Sequence, residues 1–149
     1  MKISEEMFEV IKLTHKFTKE PWTSIFGITY TGYCHKVVCE MPKLSRRKAE
    51  ALLRKDIKKV ENYINKLLQG KSIPQNHFDA MCGLAYDIGN KAFKNSMFFK
   101  YYNKGLLEDA GSRIIVWSYI KNELSLAMQY RRTIDYHIYT KADYNIKRK

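Results

Sequence analysis

The chain has little that would anchor it in a membrane or brace it covalently. Its longest aliphatic and aromatic run, Ile114-Ile115-Val116-Trp117, falls far short of the roughly 18 to 20 apolar residues a membrane span requires. Cysteine is sparse: Cys34, Cys39 and Cys82 are odd in number and contain no C-x-x-C pair, which argues against a disulfide framework or a four-ligand zinc site and for plain reduced thiols. The histidines, His15, His35, His77 and His137, are widely spaced with no H-E-x-x-H, so neither a metal nor another cofactor is expected. With 3 Pro and 7 Gly in 149 residues, there is no low-complexity linker, internal repeat or composition break, and one domain over residues 1–149 is expected. Acid is scarce too. Fifteen Asp plus Glu stand against 27 Lys plus Arg, a net charge of +12, which favours an anionic partner: nucleic acid, acidic membrane surface or cell-wall polymer. The opening Met1-Lys2-Ile3-Ser4-Glu5-Glu6 puts two acids where a secretory signal would be apolar, so the expectation is a cytoplasmic chain without a classical export signal.

What is present is a core-forming pattern, 45% hydrophobic. Ser4 suits an N-cap, with Glu5 and Glu6 in the first turn and Met7, Val10, Ile11 and Thr14 on one face, predicting a helix over about Ser4–His15. From Ile25 to Cys39, β-branched and aromatic residues punctuated by Gly27 and Gly32 predict a hairpin or small three-stranded sheet. Ser45 opens the most periodic stretch, in which Ala49, Leu52, Leu53, Ile57, Val60, Ile64, Leu67 and Leu68 recur at three- and four-residue spacing and end near Gly70; Arg and Lys fill the other face. Pro74 opens a helix that closes at Gly89. Further helices are predicted at about Ser96–Asn103, Leu107–Tyr119 and Ser125–Tyr139, and Lys141–Lys149 as a loose basic tail. The class is α+β and mostly helical: a small sheet lobe at about 15–45, a linking helix at about 45–69 and a helical lobe at about 70–140.

The order of these blocks resembles the phage-type lysozymes, the endolysins of glycoside hydrolase family 24. Ile3-Ser4-Glu5-Glu6 with Ile11-Lys12 resembles the family's opening helix. Gly27 and Gly32-Tyr33-Cys34-His35 resemble its T-I-G-Y-G-H hairpin, and Lys48-Ala49-Glu50-Ala51-Leu52-Leu53-Arg54-Lys55-Asp56 the helix joining its lobes. Gln75-Asn76-His77-Phe78-Asp79-Ala80, Gly89 with Ala92-Phe93, and Trp117 with Arg131-Arg132 resemble its C-terminal motifs. The resemblance implies a lysozyme-like fold over about residues 3 to 140 and ancestry in peptidoglycan cleavage by a Glu, an Asp and a Thr spaced E-x8-D-x5-T.

Gap-free alignment from both ends places His15, Ser24 and Tyr30 at those three positions, with Lys16 and Cys34 where glycines are usual. Such chemistry needs one carboxylic acid to protonate the leaving oxygen and a second group to stabilise the oxocarbenium-like state or position water. A histidine offers no raised-pKa carboxyl, a serine no negative charge, and a tyrosine fills the space of the water. Losing the charge alone costs several kcal/mol of transition-state stabilisation. No catalytic residue is therefore expected, and Glu20 and Glu40 read as solvated loop acids. The expected function is a monomeric, non-hydrolytic binding or regulatory protein with a protein partner or a cell-wall glycan, its cleft lined by Lys16, Trp22, Phe26, Tyr33 and His35 beside the three substituted positions. An active muramidase working through the substituted residues is the alternative. Nucleic-acid binding is disfavoured, because no recognised motif accompanies the charge.

Overall fold

Ser4 caps the first helix as expected: its Oγ accepts from the Met7 N–H at 3.0 Å at the head of α1 (Glu5–His15). In the computed structural model, which describes residues 1–146, α1 is followed by three short strands, β1 (Thr18–Thr23), β2 (Thr29–Gly32) and β3 (His35–Lys36), which pair antiparallel in the order β1-β2-β3. The 23-residue α2 (Arg46–Leu68), capped by Ser45, turns Ala49, Leu53, Ile57, Val60, Ile64 and Leu68 inward, the three- and four-residue spacing converted into one buried stripe. The helical lobe comprises α3 (Gln75–Ile88), α4 (Asn90–Asn95), α5 (Met97–Asn103), α6 (Leu107–Ser112) and α7 (Leu126–Lys141).

Three boundaries differ from expectation. The first strand begins at Thr18, upstream of Ile25, and Ile25–Gly27 form the turn. Almost all of β1 is exposed, so it has no buried face to impose alternation, and an edge position tolerates Pro21. The helix expected over Leu107–Tyr119 ends at Ser112. A 3-10 turn follows at Ile115–Ser118, then a two-stranded ribbon of β4 (Tyr119–Ile120) and β5 (Glu123–Leu124) turning through Lys121 and Asn122, both at positive φ. The β-branched run Ile114-Ile115-Val116 is a poor helix continuation. The tail is tied down as far as it is described: the Tyr144 hydroxyl donates to Asp79 Oδ2 at 2.7 Å, and the Ile146 carbonyl accepts from Tyr130 at 2.8 Å. The expected loose segment beyond Ile146 lies outside the described residues.

Two glycines set the packing distances. Gly32, at φ +61°, lies so close to α2 that a Cβ would sit 3.1 Å from that of Ala49, which brings the sheet onto the linking helix. At Gly83 of α3, a Cβ would meet Met7 Cε at 2.4 Å and Asp135 Oδ1 at 2.9 Å. The crossing of α1, α3 and α7 therefore depends on the absence of a side chain.

The buried Asp79 of α3 joins the two ends of the chain. It accepts from the Ser4 amide (3.0 Å), the Ser4 hydroxyl (2.6 Å), the Gln75 side-chain amide (2.8 Å) and the Tyr144 hydroxyl. Asp79→Ala leaves four donors without this acceptor and is expected to cost about 4 kcal/mol, taking roughly 1 kcal/mol per lost bond. Urea unfolding measures the loss, and a change below about 1 kcal/mol would show that Asp79 does not fasten the ends.

Candidate functional site

His15 closes α1 and is buried, with a side-chain exposure of 4%. Its Nε2 lies 2.6 Å from Asp87 Oδ1 on α3, and its Nδ1 lies 3.0 Å from the Ile11 carbonyl and 3.1 Å from the Thr14 hydroxyl, which itself donates to Val10. A ring nitrogen facing a carbonyl must donate, and so must one facing an ionised carboxylate. Both His15 nitrogens are therefore engaged, Nε2 by the Asp87 carboxylate and Nδ1 by the Ile11 carbonyl and the Thr14 hydroxyl.

Asp87 collects two further cations from α7. Arg131 Nη1 reaches its Oδ1 at 3.1 Å, and Arg132 Nη2 reaches its Oδ2 at 2.5 Å. Burial by itself would raise the Asp87 carboxyl; the charge and hydrogen bond of His15, with Arg132 and Arg131, outweigh it and hold the group far below the ordinary carboxylate range. Asp135 faces the other way. Burial and the neighbouring Asp87 raise it to about 6 against the pull of Arg132, 2.8 Å away. Arg132, only 1% exposed, keeps Nε and Nη1 without acceptors, and the Asp135 contact lies off the donor line, leaving Oδ2 without a hydrogen bond. Between α1, α3 and α7, the His15 ring and two guanidinium cations thus surround one fixed anion, Asp87, with the raised Asp135 carboxyl beside them.

The other two substituted positions carry no acid. The Ser24 hydroxyl is turned into its own hairpin, accepting from the Phe26 and Ile28 amides at 3.3 and 3.4 Å. Tyr30 is half-buried and packs on Trp22, with ring centroids 5.3 Å apart. Burial, then the charges of Cys34 and Asp87, raise its hydroxyl, which places it within electrostatic reach of the His15 cluster. Cys34 occupies a left-handed conformation at φ 61°, and burial pushes its thiol up although Arg131 opposes this.

The remaining candidates are dispersed. Trp22 and Phe26 lie exposed on the sheet lobe, and Lys121 of the β4-β5 turn sits 5.2 Å over the Phe26 ring, so the tips of the two lobes touch. Lys16 and Tyr33 line a separate groove of about 440 Å³ with Glu9, Lys12, Phe17 and Arg46. His35 pairs with Asp56 of α2 at 2.5 Å. Glu20, weighed as a substitute acid, is solvated and paired with Lys43 at 2.9 Å, a contact that lowers its carboxyl. Asp87 was missed from sequence. Its signal was present: an acid one residue from the end of the apolar run Ala80–Ile88 is buried, and a buried acid requires cations.

A small antiparallel sheet lobe, a long connecting helix and a helical lobe define a lysozyme-like fold. The phage lysozyme family model matches residues 8–135, and the chain belongs to that family. It is 31% identical over 124 residues to the endolysin of Bacillus phage B103, covering 79% of this chain but 46% of that protein, so it spans less than half of that relative. It is 30% identical over 122 residues to the endolysin of Acyrthosiphon pisum secondary endosymbiont phage 1, covering 81% and 83% of the two chains. Among solved structures, the muramidase domain of SpmX from Asticaccaulis excentricus superposes with a TM-score of 0.84 at 23% identity, covering 94% of this chain and 98% of that one.

Two stability effects follow from the charged floor. Asp87→Ala strands the Arg131 and Arg132 guanidinium groups and the His15 ring and is expected to cost about 4 kcal/mol, typical of breaking a buried pair, as read by urea denaturation; a loss under about 1 kcal/mol refutes the assignment. Asp135 acts in the opposite direction. Its carboxyl is raised to about 6 in the folded chain against roughly 4 unfolded, so the folded state binds the extra proton and stability falls by about 3 kcal/mol as pH rises from about 4 to 6. Asp135→Asn removes this slope, and its stability relative to the native protein rises across that window; parallel curves would contradict the raised value.

Proposed function

We propose that this phage-lysozyme-family protein binds through its interlobe region without hydrolysing glycosidic bonds. The observation that carries the reading is the engagement of His15. A general acid must release a proton to the leaving oxygen and recover it, but both His15 ring nitrogens are turned inward, Nδ1 onto the Ile11 carbonyl and Nε2 onto the Asp87 carboxylate at 2.6 Å. Asp87 cannot take over. It is held ionised by His15, Arg131 and Arg132, the reverse of the raised carboxyl that acid catalysis uses. Ser24 supplies no charge to an oxocarbenium-like state, and Tyr30 puts a ring where a nucleophilic water would need room.

The same features suit recognition. A tilted Trp22-Tyr30 pair offers rigid contact area at small entropic cost.

Purified peptidoglycan incubated with the native protein is expected to release no new reducing ends above the buffer control. Sustained release that disappears in His15→Ala would establish the muramidase reading instead. Gain of reducing-end release in the reverse experiment is expected to take four substitutions together. Returning His15→Glu, Ser24→Asp and Tyr30→Thr alone sets the new glutamate carboxylate against ionised Asp87, so Asp87→Asn must accompany them.

A further inference from the structure

Fifteen large hydrophobic side chains are exposed among the described residues. Six of these fall within two short segments: Trp22, Ile25 and Phe26 on the sheet lobe, and Tyr119, Leu124 and Leu126 on the ribbon and the head of α7. The two segments are neighbours in space, because Lys121, in the turn between Tyr119 and Leu124, lies over the Phe26 ring. Ile25 and Leu126 are 75% and 76% exposed, so neither serves the core. The six therefore flank a seam where the lobe tips meet.

We propose that this seam docks an acidic protein segment carrying an aromatic or aliphatic anchor, an inference that rests on the binding reading above. The side-chain chemistry selects the class. Sugars are gripped by polar groups and flat rings, whereas Ile25, Leu124 and Leu126 present branched aliphatic surface with nothing for a hydroxyl to pair with. Exposed apolar surface gathered in this way marks protein contacts, and aromatic anchors such as Trp22, Phe26 and Tyr119 are the residue types that dominate their energetics. Charge sets the sign of the partner. The strands of the sheet lobe carry Lys19 and Lys36 against Glu20, which Lys43 already neutralises at 2.9 Å, and at the seam itself Lys121 stands with Glu123, leaving a weakly cationic surface. An acidic segment is steered toward such a surface before its apolar anchor seats. A bilayer fits less well, because the six residues are divided between two lobes on either side of a junction.

The full chain is titrated with three fluorescent probes: a random Glu/Tyr copolymer, poly-Glu of equal length, and phosphatidylglycerol vesicles. Because poly-Glu reports charge alone, the copolymer is expected to bind at least tenfold more tightly. Phe26→Ser with Leu126→Ser is expected to abolish that tenfold preference while leaving poly-Glu binding and the thermal transition unchanged; both residues are exposed, so folding is preserved. Equal affinity for the two polymers, or a preference that survives the double variant, overturns the proposal. Vesicle binding that is lost in the same variant overturns it in favour of a lipid surface. Peptidoglycan turnover measured on the same samples separates the two claims: release of reducing ends sinks the non-hydrolytic reading whatever the polymers do, and its absence leaves that reading standing if docking fails.

Discussion

One carboxylate organises the helical lobe. Asp87, near the end of α3, takes a hydrogen bond from His15 of α1 and two from Arg131 and Arg132 of α7, so three helices from distant parts of the chain converge on two oxygen atoms. An unpaired charge at that depth would be prohibitively costly. The two guanidinium groups and the His15 ring make burial possible, and burial in turn strengthens each attraction. Gly83, one turn earlier on α3, permits the helices to come this close. The sheet lobe is coupled through the same point, because Arg131 also donates to the Thr14 carbonyl at the residue before His15, where α1 gives way to the first strand.

The identity of residue 15 is tied to that carboxylate. A glutamate at position 15 would stand beside Asp87 as a second anion, and like charges in a dry interior repel strongly. Histidine makes the same contact attractive. The ring is thereby a pin between α1 and α3, held by Asp87 at 2.6 Å and by the Ile11 carbonyl at 3.0 Å.

The fold was largely legible because its evidence is periodic or positional. The α2 stripe, the Ser4 and Ser45 caps and the Gly89 stop each express a local rule, and each appears where that rule places it. The first strand was not legible, since Thr18–Thr23 has no buried face and gives no alternation. The break after Ser112 was missed for a related reason: Ile114-Ile115-Val116-Trp117 looks like a helix face by hydrophobicity, while the turn and ribbon that replace it depend on contacts with α7. At the candidate site, alignment singled out His15, Ser24 and Tyr30 but could say nothing of their partners. Asp87 lies 72 residues beyond His15, and no local pattern links the two. The dispersion of Lys16 and Tyr33 into a separate groove has the same origin, because neighbours in sequence at the end of α1 point to different sides of the helix.

The fastening of Ser4 and Tyr144 to a single acceptor on α3 has a mechanical meaning. Tension applied along the chain is delivered from both ends to Asp79 at the centre of the helical lobe, so the first bonds loaded belong to the core instead of a fraying terminus. Such a clamp resists in shear, several bonds bearing the load together, where an unfastened end would peel away one residue at a time. Residues 4 and 144 are thereby held to the middle of α3 instead of fraying independently.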